Sequence, residues 1–305
     1  MGLLAGLASI DSGRPVRDHR QNTPRQLGIS FSYSFGYTGV VTAHPTYPTD
    51  ALALVLVELR HPVTDPPVRA ALTFLRDQLS EWTPIIEQEE MRQIDMNTGA
   101  QTVFTNKKLV ARDRHTAITF RHDAMTVEVT DYPGWAKFWP IVRATVAARQ
   151  DVSPVDGCLR IGLRYINEIR APLDNSSTWS KWVSNSLLGP GSELSDLKLA
   201  ITAQQHVVQC DGPGPGASLT LRYGAARGSV IQSTPILQRL KEPPENGHFF
   251  LLDIDSAWSD PKNGIPAFEI NLIEEVAERL HEPINPLFES LITDDLRTTV
   301  LEKES

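Results

Sequence analysis

Two arginines on one predicted strand are the most distinctive chemical feature of the sequence. Positions 160 to 167 read Arg-Ile-Gly-Leu-Arg-Tyr-Ile-Asn. Strand alternation places Arg160, Gly162 and Arg164 on one face, with the two arginines about 13 Å apart at ~3.3 Å per residue. A planar guanidinium suits two-point contact with a phosphate or a carboxylate. We therefore predict a site for an anionic ligand or for a protein partner, with these candidate residues: Arg160, Arg164, Tyr165 and Asn167.

The same arginines also have a purely structural interpretation. Internal acids such as Glu58 or Glu128 can pair with them and tie the two halves of the chain together. In that case the strand stabilises the fold and binds no ligand. The sequence leaves both interpretations open.

A basic hairpin provides a second group of candidates. Its candidate ligand-binding residues are Lys107, Lys108, Arg112 and Arg114, with Arg121 nearby. Such a cluster can line a groove for nucleic acid or for a nucleotide. The competing interpretation is a solvated sheet face or an edge strand on which charge prevents aggregation.

Two aspartates provide the third candidate site. Asp253 and Asp255 stand two residues apart on a strand predicted over 249–258, so both carboxylates face the same side. This arrangement can share a Mg²⁺ ion with a substrate phosphate, as in a phosphoryl-transfer enzyme or a nuclease. Alternatively, the aspartates pair with Arg160 or Arg164 and form an internal ion-pair network.

Other catalytic and cofactor signatures do not match the sequence. The eight histidines form no His-Glu-x-x-His motif, and Cys158 and Cys210 form no Cys-x-x-Cys motif. The sequence also lacks a nucleophile elbow, a phosphate-binding glycine-lysine loop and a dinucleotide fingerprint. We therefore assign no catalytic residue and no cofactor, and we favour a binding protein over an enzyme.

The composition is that of a packed globular protein. The chain has 305 residues, of which 41% are hydrophobic and 22% are charged. Its net charge of −8 opposes unspecific binding to nucleic acid and favours a basic protein partner. No apolar run approaches the ~18 residues of a membrane span, and two cysteines fit a reducing compartment. We predict a cytoplasmic protein that does not contact membranes.

Hydrophobic periodicity predicts the elements that position these residues. In the first half, it indicates a strand over 51–59, a helix after Pro67, antiparallel strands over 88–131 and a helix over 135–149. In the second half, it indicates a strand over 158–170, a helix over 178–188 and further strands over 197–210, 219–223 and 249–258. A final helical region consists of two segments, 268–280 and 287–300, and is interrupted at Pro283 and Pro286.

The repeated order of elements predicts the fold class. We expect an α+β protein built from a duplicated unit of strand, helix, three or four antiparallel strands and helix, with the helices on one face of curved sheets. The predicted organisation is a flexible leader over 1–44, a first unit over 45–153 and a second unit over 154–305. Two unrelated α+β domains are the alternative.

Three separated segments resemble a sporadically distributed, uncharacterised bacterial protein family. They are Asp131-Tyr132-Pro133-Gly134-Trp135, the segment 160–167 and the segment 281–293, and the resemblance covers positions 45–301. It implies a bacterial cytoplasmic protein of patchy occurrence, which suggests mobile or defence-related gene neighbourhoods. It brings no established activity, catalytic residue or cofactor.

These observations lead to one functional hypothesis and two alternatives. We expect a non-enzymatic binding protein whose polar sheet face recognises a protein partner or an anionic ligand, in a defence, stress or toxin-neutralising system. The first alternative is a nucleic-acid or nucleotide binder that uses the basic sheet face. The second is a Mg²⁺-dependent phosphoryl-transfer enzyme or nuclease at Asp253 and Asp255.

Overall fold

A computed structural model describes most of the chain beyond its N-terminal region. The described residues are Tyr47, 51–94, 101–173, 179–199, 201–259 and 264–302, without the side chains of 91–94, 102–104, 192, 193 and 195. All of them belong to one compact unit, which comprises residues 44–305. The predicted leader over 1–44 lies outside the described residues.

The described residues contain one continuous antiparallel sheet of nine strands. The strands are β1 Leu52–Arg60, β2 Ile85–Ile94, β3 Gln101–Val110, β4 Thr116–Phe120, β5 Ala124–Val129, β6 Arg160–Ile169, β7 His206–Asp211, β8 Ala217–Arg227 and β9 His248–Trp258. Their order across the sheet is β2-β3-β4-β5-β1-β6-β9-β8-β7. β1 and β6 therefore lie side by side at the centre.

Helices cover the apolar face of this sheet. They are α1 Arg69–Gln78, α2 Trp135–Val152, α4 Ile270–His281 and α5 Ile284–Leu291, and a π-helical turn follows at Leu296–Val300. The described residues also contain a short helix, α3 Gly191–Asp196. Alternate residues of the strands, such as Val57 on β1 and Leu163 on β6, share one buried core with helical residues such as Val142 and Ile273. No helix among the described residues has the length and apolar character that crossing a membrane requires. The α+β class predicted from the sequence is confirmed.

The helix predicted over 178–188 is wrong. The described part of that segment forms two 3₁₀ turns, Trp179–Lys181 and Asn185–Leu187. Ser184 accepts a hydrogen bond from the Ser186 amide, which is the kind of local contact by which serine competes with a helix. The predicted interruption at Pro286 is also wrong, because Pro286 lies in the first turn of α5, where a missing amide hydrogen is tolerated.

The two predicted halves connect their strands in the same order. In the first half, β1 pairs with the last strand β5, and β4, β3 and β2 follow outwards. In the second half, β6 pairs with the last strand β9, and β8 and β7 follow outwards. The predicted boundary between positions 153 and 154 falls between α2 and β6. A duplication and a domain division at this point stay predictions.

Candidate functional site

The face of the sheet opposite the core carries charged and small polar side chains. A depression of about 400 Å³ lies on this face. Its lining consists of Leu56, Glu58, Arg60, Glu89, Asn106, Lys108, Thr119, Arg121, Thr126, Glu128, Arg160, Gly162, Arg164 and Asp255. Five of these residues are cationic and four are acidic, which leaves one positive charge in excess. We call this surface the charged depression.

Glu58 on β1 is the centre of the charged depression. Its carboxylate accepts hydrogen bonds from Arg60 Nε at 2.7 Å, from Arg121 Nη2 at 2.9 Å and from Arg160 Nη1 at 3.0 Å. Burial acts to raise the pKa of Glu58, but the hydrogen bonds and charges of Arg60 and Arg121 outweigh it and lower that pKa. One carboxylate thus holds three guanidinium groups together.

Gly162 lets Arg160 lie flat across the sheet. An added Cβ at Gly162 would stand 2.3 Å from Arg160 Nη1, which is far inside contact distance. Across this gap, the guanidinium reaches Glu58 on β1 and Asp255 Oδ1 on β9, the latter at 3.2 Å. The Arg-x-Gly spacing is therefore the local signal for an arginine that bridges neighbouring strands.

The predicted aspartate pair also lies among arginines. Arg164 donates from Nε and Nη2 to the two carboxylate oxygens of Asp253 at 2.8 and 2.7 Å. Arg222 on β8 contacts Asp253 at 3.4 Å and Asp255 at 3.6 Å. Hydrogen bonding to Asp253 raises the pKa of Arg164. Among the described residues, no group of three or more histidine, cysteine, aspartate or glutamate side chains can hold a metal ion.

Lys108 forms the other side of the charged depression. Its Nζ lies 2.8 Å from Glu89 on β2 and 3.8 Å from Glu128 on β5, and only 8% of the residue is exposed. Burial raises the pKa of Glu128 because the charge of Lys108 offsets only part of the desolvation. The floor between these charges holds Thr119, whose buried Oγ1 has no hydrogen-bond partner among the described residues.

Glu128→Gln is expected to stabilise the protein at neutral pH by about 0.5–1.5 kcal/mol. A raised pKa in the folded state means that the charged carboxylate is less favourable there than in the unfolded chain. Its contribution to stability is therefore complete below the ordinary value of 4.5 and is lost as the pH rises through the folded pKa.

Urea unfolding at pH 4 and at pH 7 measures this effect. We expect the advantage of the variant to be larger at pH 7, because the carboxylate it replaces is charged there. A variant that is less stable than the parent at pH 7 contradicts the assignment. Glu275→Gln is the control, because Glu275 is 74% exposed.

The structure does not bring the four candidates on β6 to one face. Arg160 and Arg164 line the charged depression, whereas Tyr165 lies in the core on the opposite face. The Tyr165 hydroxyl is 3.0 Å from that of Tyr132, and burial raises its pKa well above the ordinary value. Asn167 is buried and donates to the Leu252 carbonyl oxygen at 3.1 Å.

The basic hairpin does not present one continuous surface either. Lys108 lines the charged depression, but its neighbour Lys107 lies opposite the core residue Phe120 on β4 and therefore points to the other face. Arg112 is exposed in the turn after β3. Arg114 Nη1 pairs with Glu87 Oε1 at 2.8 Å.

The three segments that carry the family resemblance meet on the helical side of β6. The His281 ring is stacked on Trp135 with centroids 4.2 Å apart, and Tyr132 lies edge-on to Tyr165 at 5.5 Å. Trp135 Nε1 donates to Glu278 on α4 at 2.8 Å. This aromatic cluster packs α2 and α4 against β6 and therefore has a structural role.

Sequence reasoning missed several residues of the charged depression and its border. Arg60, Arg222, Glu89 and Thr119 were not predicted as site residues, although they stand on strands that the sequence indicated. Their alternation with apolar residues places them on the polar face of their own strands. The sequence does not show that β2 and β8 belong to the same sheet as β6, which the observed strand order establishes. No model of a protein family matches the chain, and no curated protein matches it.

Proposed function

We propose that this chain is a binding protein whose charged depression recognises a small organic anion through its arginines. The observation that carries the proposal is the arginine cluster around Glu58, where three guanidinium groups share one carboxylate. Arg121, Arg160 and Arg164 each keep 27–30% of the side chain exposed, so donors remain accessible from solvent. A carboxylate or phosphate is the group that such donors bind most strongly.

The ion pairs within the charged depression support a role in binding. Each arginine is already held in place by an acid, so a ligand does not have to order long side chains on arrival. A volume of about 400 Å³ is within the size range of small-molecule sites, roughly 300–1,000 Å³.

The charged depression is formed by both predicted halves of the chain. Glu58 and Arg121 come from the first half, and Arg160 and Asp255 come from the second. We therefore propose that residues of both predicted units together form a single binding site. A cytoplasmic location and a role in a bacterial defence, stress or toxin-neutralising system remain parts of this proposal that rest on the family resemblance.

Calorimetric titration of the full chain with pyrophosphate, citrate and AMP tests the proposal. We expect at least one of these anions to bind, and we expect Arg160→Gln and Arg121→Gln to weaken it by about tenfold each, because each loses one charge-assisted contact of roughly 1.5 kcal/mol. The three probes separate a phosphate, a carboxylate and a nucleotide ligand.

Two further variants control this experiment. Gly162→Ala changes no charge but displaces the Arg160 guanidinium, so it is expected to weaken binding as well. Arg143→Gln removes a positive charge from an exposed position on α2 and is expected to leave binding unchanged. The proposal is wrong if no probe binds, or if Arg143→Gln weakens binding as much as Arg160→Gln does.

A further inference from the structure

The two outer strands of the sheet differ in how they are protected against pairing with another strand. β2, at one edge, carries Glu87, Glu89 and Glu90, and charges of this kind keep a further strand away from an open edge. β7, at the other edge, reads His-Val-Val-Gln-Cys-Asp and contains neither lysine nor proline. It also pairs with β8 in a regular register, without a bulge. The edge at β7 therefore lacks the usual protection.

The free side of β7 is accessible. In the described part of the chain, the backbone of β7 is hydrogen-bonded to β8 alone. Val207 is 50% exposed and Val208 is 47% exposed, and Leu197, Leu199 and Ile201 are exposed in the segment before β7. Five of the eleven large apolar residues that are exposed in the described part thus fall within twelve positions of the chain. Exposed apolar residues at an open sheet edge are typical of an interface.

The pairing of β7 with β8 fixes the direction of its side chains. Val208 lies opposite Leu221 and Cys210 lies opposite Leu219, and both leucines belong to the core. Directly opposite residues of neighbouring strands share a face, so Val208 and Cys210 are on the helical side of the sheet. Val207, one position away, is on the polar side. β7 thus presents an apolar side chain on each side of the sheet.

We infer that β7 pairs with β7 of a second copy of this chain, so that two nine-stranded sheets join into one across a two-fold axis. Two-fold symmetry makes this pairing antiparallel, as the neighbouring pairs of β7 with β8 and of β8 with β9 already are. The symmetry also requires one residue to lie opposite its own counterpart, because exchanging the copies must leave the hydrogen-bond pattern unchanged.

Two registers of this kind pair five of the six residues of β7, and they are centred on Val208 and on Gln209. In the first register, Val208 lies opposite Val208 of the second copy. In the other register, it lies opposite Cys210 of the second copy. Both registers therefore place an apolar contact on the helical side, and neither places Asp211 opposite Asp211.

The same construction at the other edge brings like charges together. The longest two-fold registers of β2 are centred on Glu89 and on Glu90, so one of these glutamates lies opposite its own counterpart. Like charges directly opposite each other are unfavourable, so the second edge stays unpaired and the assembly closes at two copies. This inference does not depend on the proposed function of the charged depression.

Sedimentation velocity of the full chain over a dilution series tests the inference, with a reductant present because Cys210 is exposed. We expect a reversible change from the mass of one chain to that of two chains, and no larger species. Val208→Lys is expected to raise the dissociation constant about 100-fold or more, because it places a lysine of each copy in the interface. Val63→Lys is the matched control, since Val63 is an exposed valine after β1, and it is expected to leave the dissociation constant unchanged.

Hydrogen exchange of the unmodified protein covers the case in which Val208→Lys does not fold. We expect the amides of β7 to exchange more slowly at high than at low protein concentration, whereas the amides of β2 exchange equally at both. A single-chain mass at every concentration overturns the inference and leaves the edge to an extended segment of another protein. The same holds for an assembly of more than two chains, for equal weakening by Val63→Lys, or for equal exchange of the β7 amides at both concentrations.

Discussion

Replacing Glu168 by alanine is expected to lower the free energy of unfolding by about 3–5 kcal/mol. The Glu168 side chain at the end of β6 is completely buried. Its two oxygens pair with Arg170 Nη2 at 2.8 Å and Arg239 Nη1 at 2.9 Å, and Oε2 also accepts from the Val230 amide at 2.6 Å. Arg239 keeps only 11% of its side chain exposed, so its charge would lose its partner in a buried position.

The same contacts hold the connection between β8 and β9 against the sheet. Residues 228–247 form this connection without helix or strand, so Glu168 is a fixed point for a long loop. We therefore expect the Val230 amide to exchange its hydrogen much faster in Glu168→Ala, whereas the central strands keep their protection. Urea unfolding and hydrogen exchange measure the two effects.

A matched control distinguishes this effect from the general loss of an acidic group. Glu275 on α4 forms an i,i+4 pair with Arg279 but is 74% exposed, so Glu275→Ala is expected to change stability by less than about 0.5 kcal/mol. Equal stabilities of the two variants would show that Glu168 does not hold the loop.

The sequence contains enough information to predict most of the elements, because alternation and helical spacing are local patterns. The alternation along β4 and β5 is a clear example: Ile118 and Val127 lie in the core, whereas Thr119 and Glu128 line the charged depression. The helix predicted over 178–188 failed for an equally local reason, since Ser184 forms a turn contact instead of a helical one.

The partners of the charged residues are harder to predict, because they depend on strand order and register. From the sequence alone, Arg160 and Arg164 can either bind a ligand or pair with internal acids. The structure shows internal pairs of Arg160 with Glu58 and Asp255, and of Arg164 with Asp253. Glu58 and Arg160 are 102 positions apart, and no local pattern links them.

Asp253→Asn is expected to destabilise the protein by about 2–4 kcal/mol. Only 2% of the Asp253 side chain is exposed, and Arg164 donates two hydrogen bonds to it. Asparagine has no charge and only one acceptor oxygen, so it cannot replace this two-point contact. Because Arg164 and Arg222 keep 28% and 26% of their side chains exposed, water compensates part of the loss.

A double-mutant cycle with Arg164→Gln assigns this effect to the pair. We expect a coupling energy of about 1.5–3 kcal/mol between positions 164 and 253, because each single variant already breaks the contact. Asp255→Asn is the comparison on the same strand: Asp255 is 18% exposed, and Arg160 retains Glu58, so a loss of only about 1 kcal/mol is expected.

The same proteins distinguish an ion-pair role from the alternative of a magnesium site. If Asp253 and Asp255 bind Mg²⁺, the ion must stabilise the unmodified protein against unfolding, and Asp253→Asn must abolish that stabilisation. If the aspartates only form ion pairs with the arginines, Mg²⁺ leaves the unfolding midpoint unchanged in the unmodified protein and in Asp253→Asn. We expect the second result, because a cation would have to displace the guanidinium groups of Arg164 and Arg222 that already occupy the Asp253 oxygens.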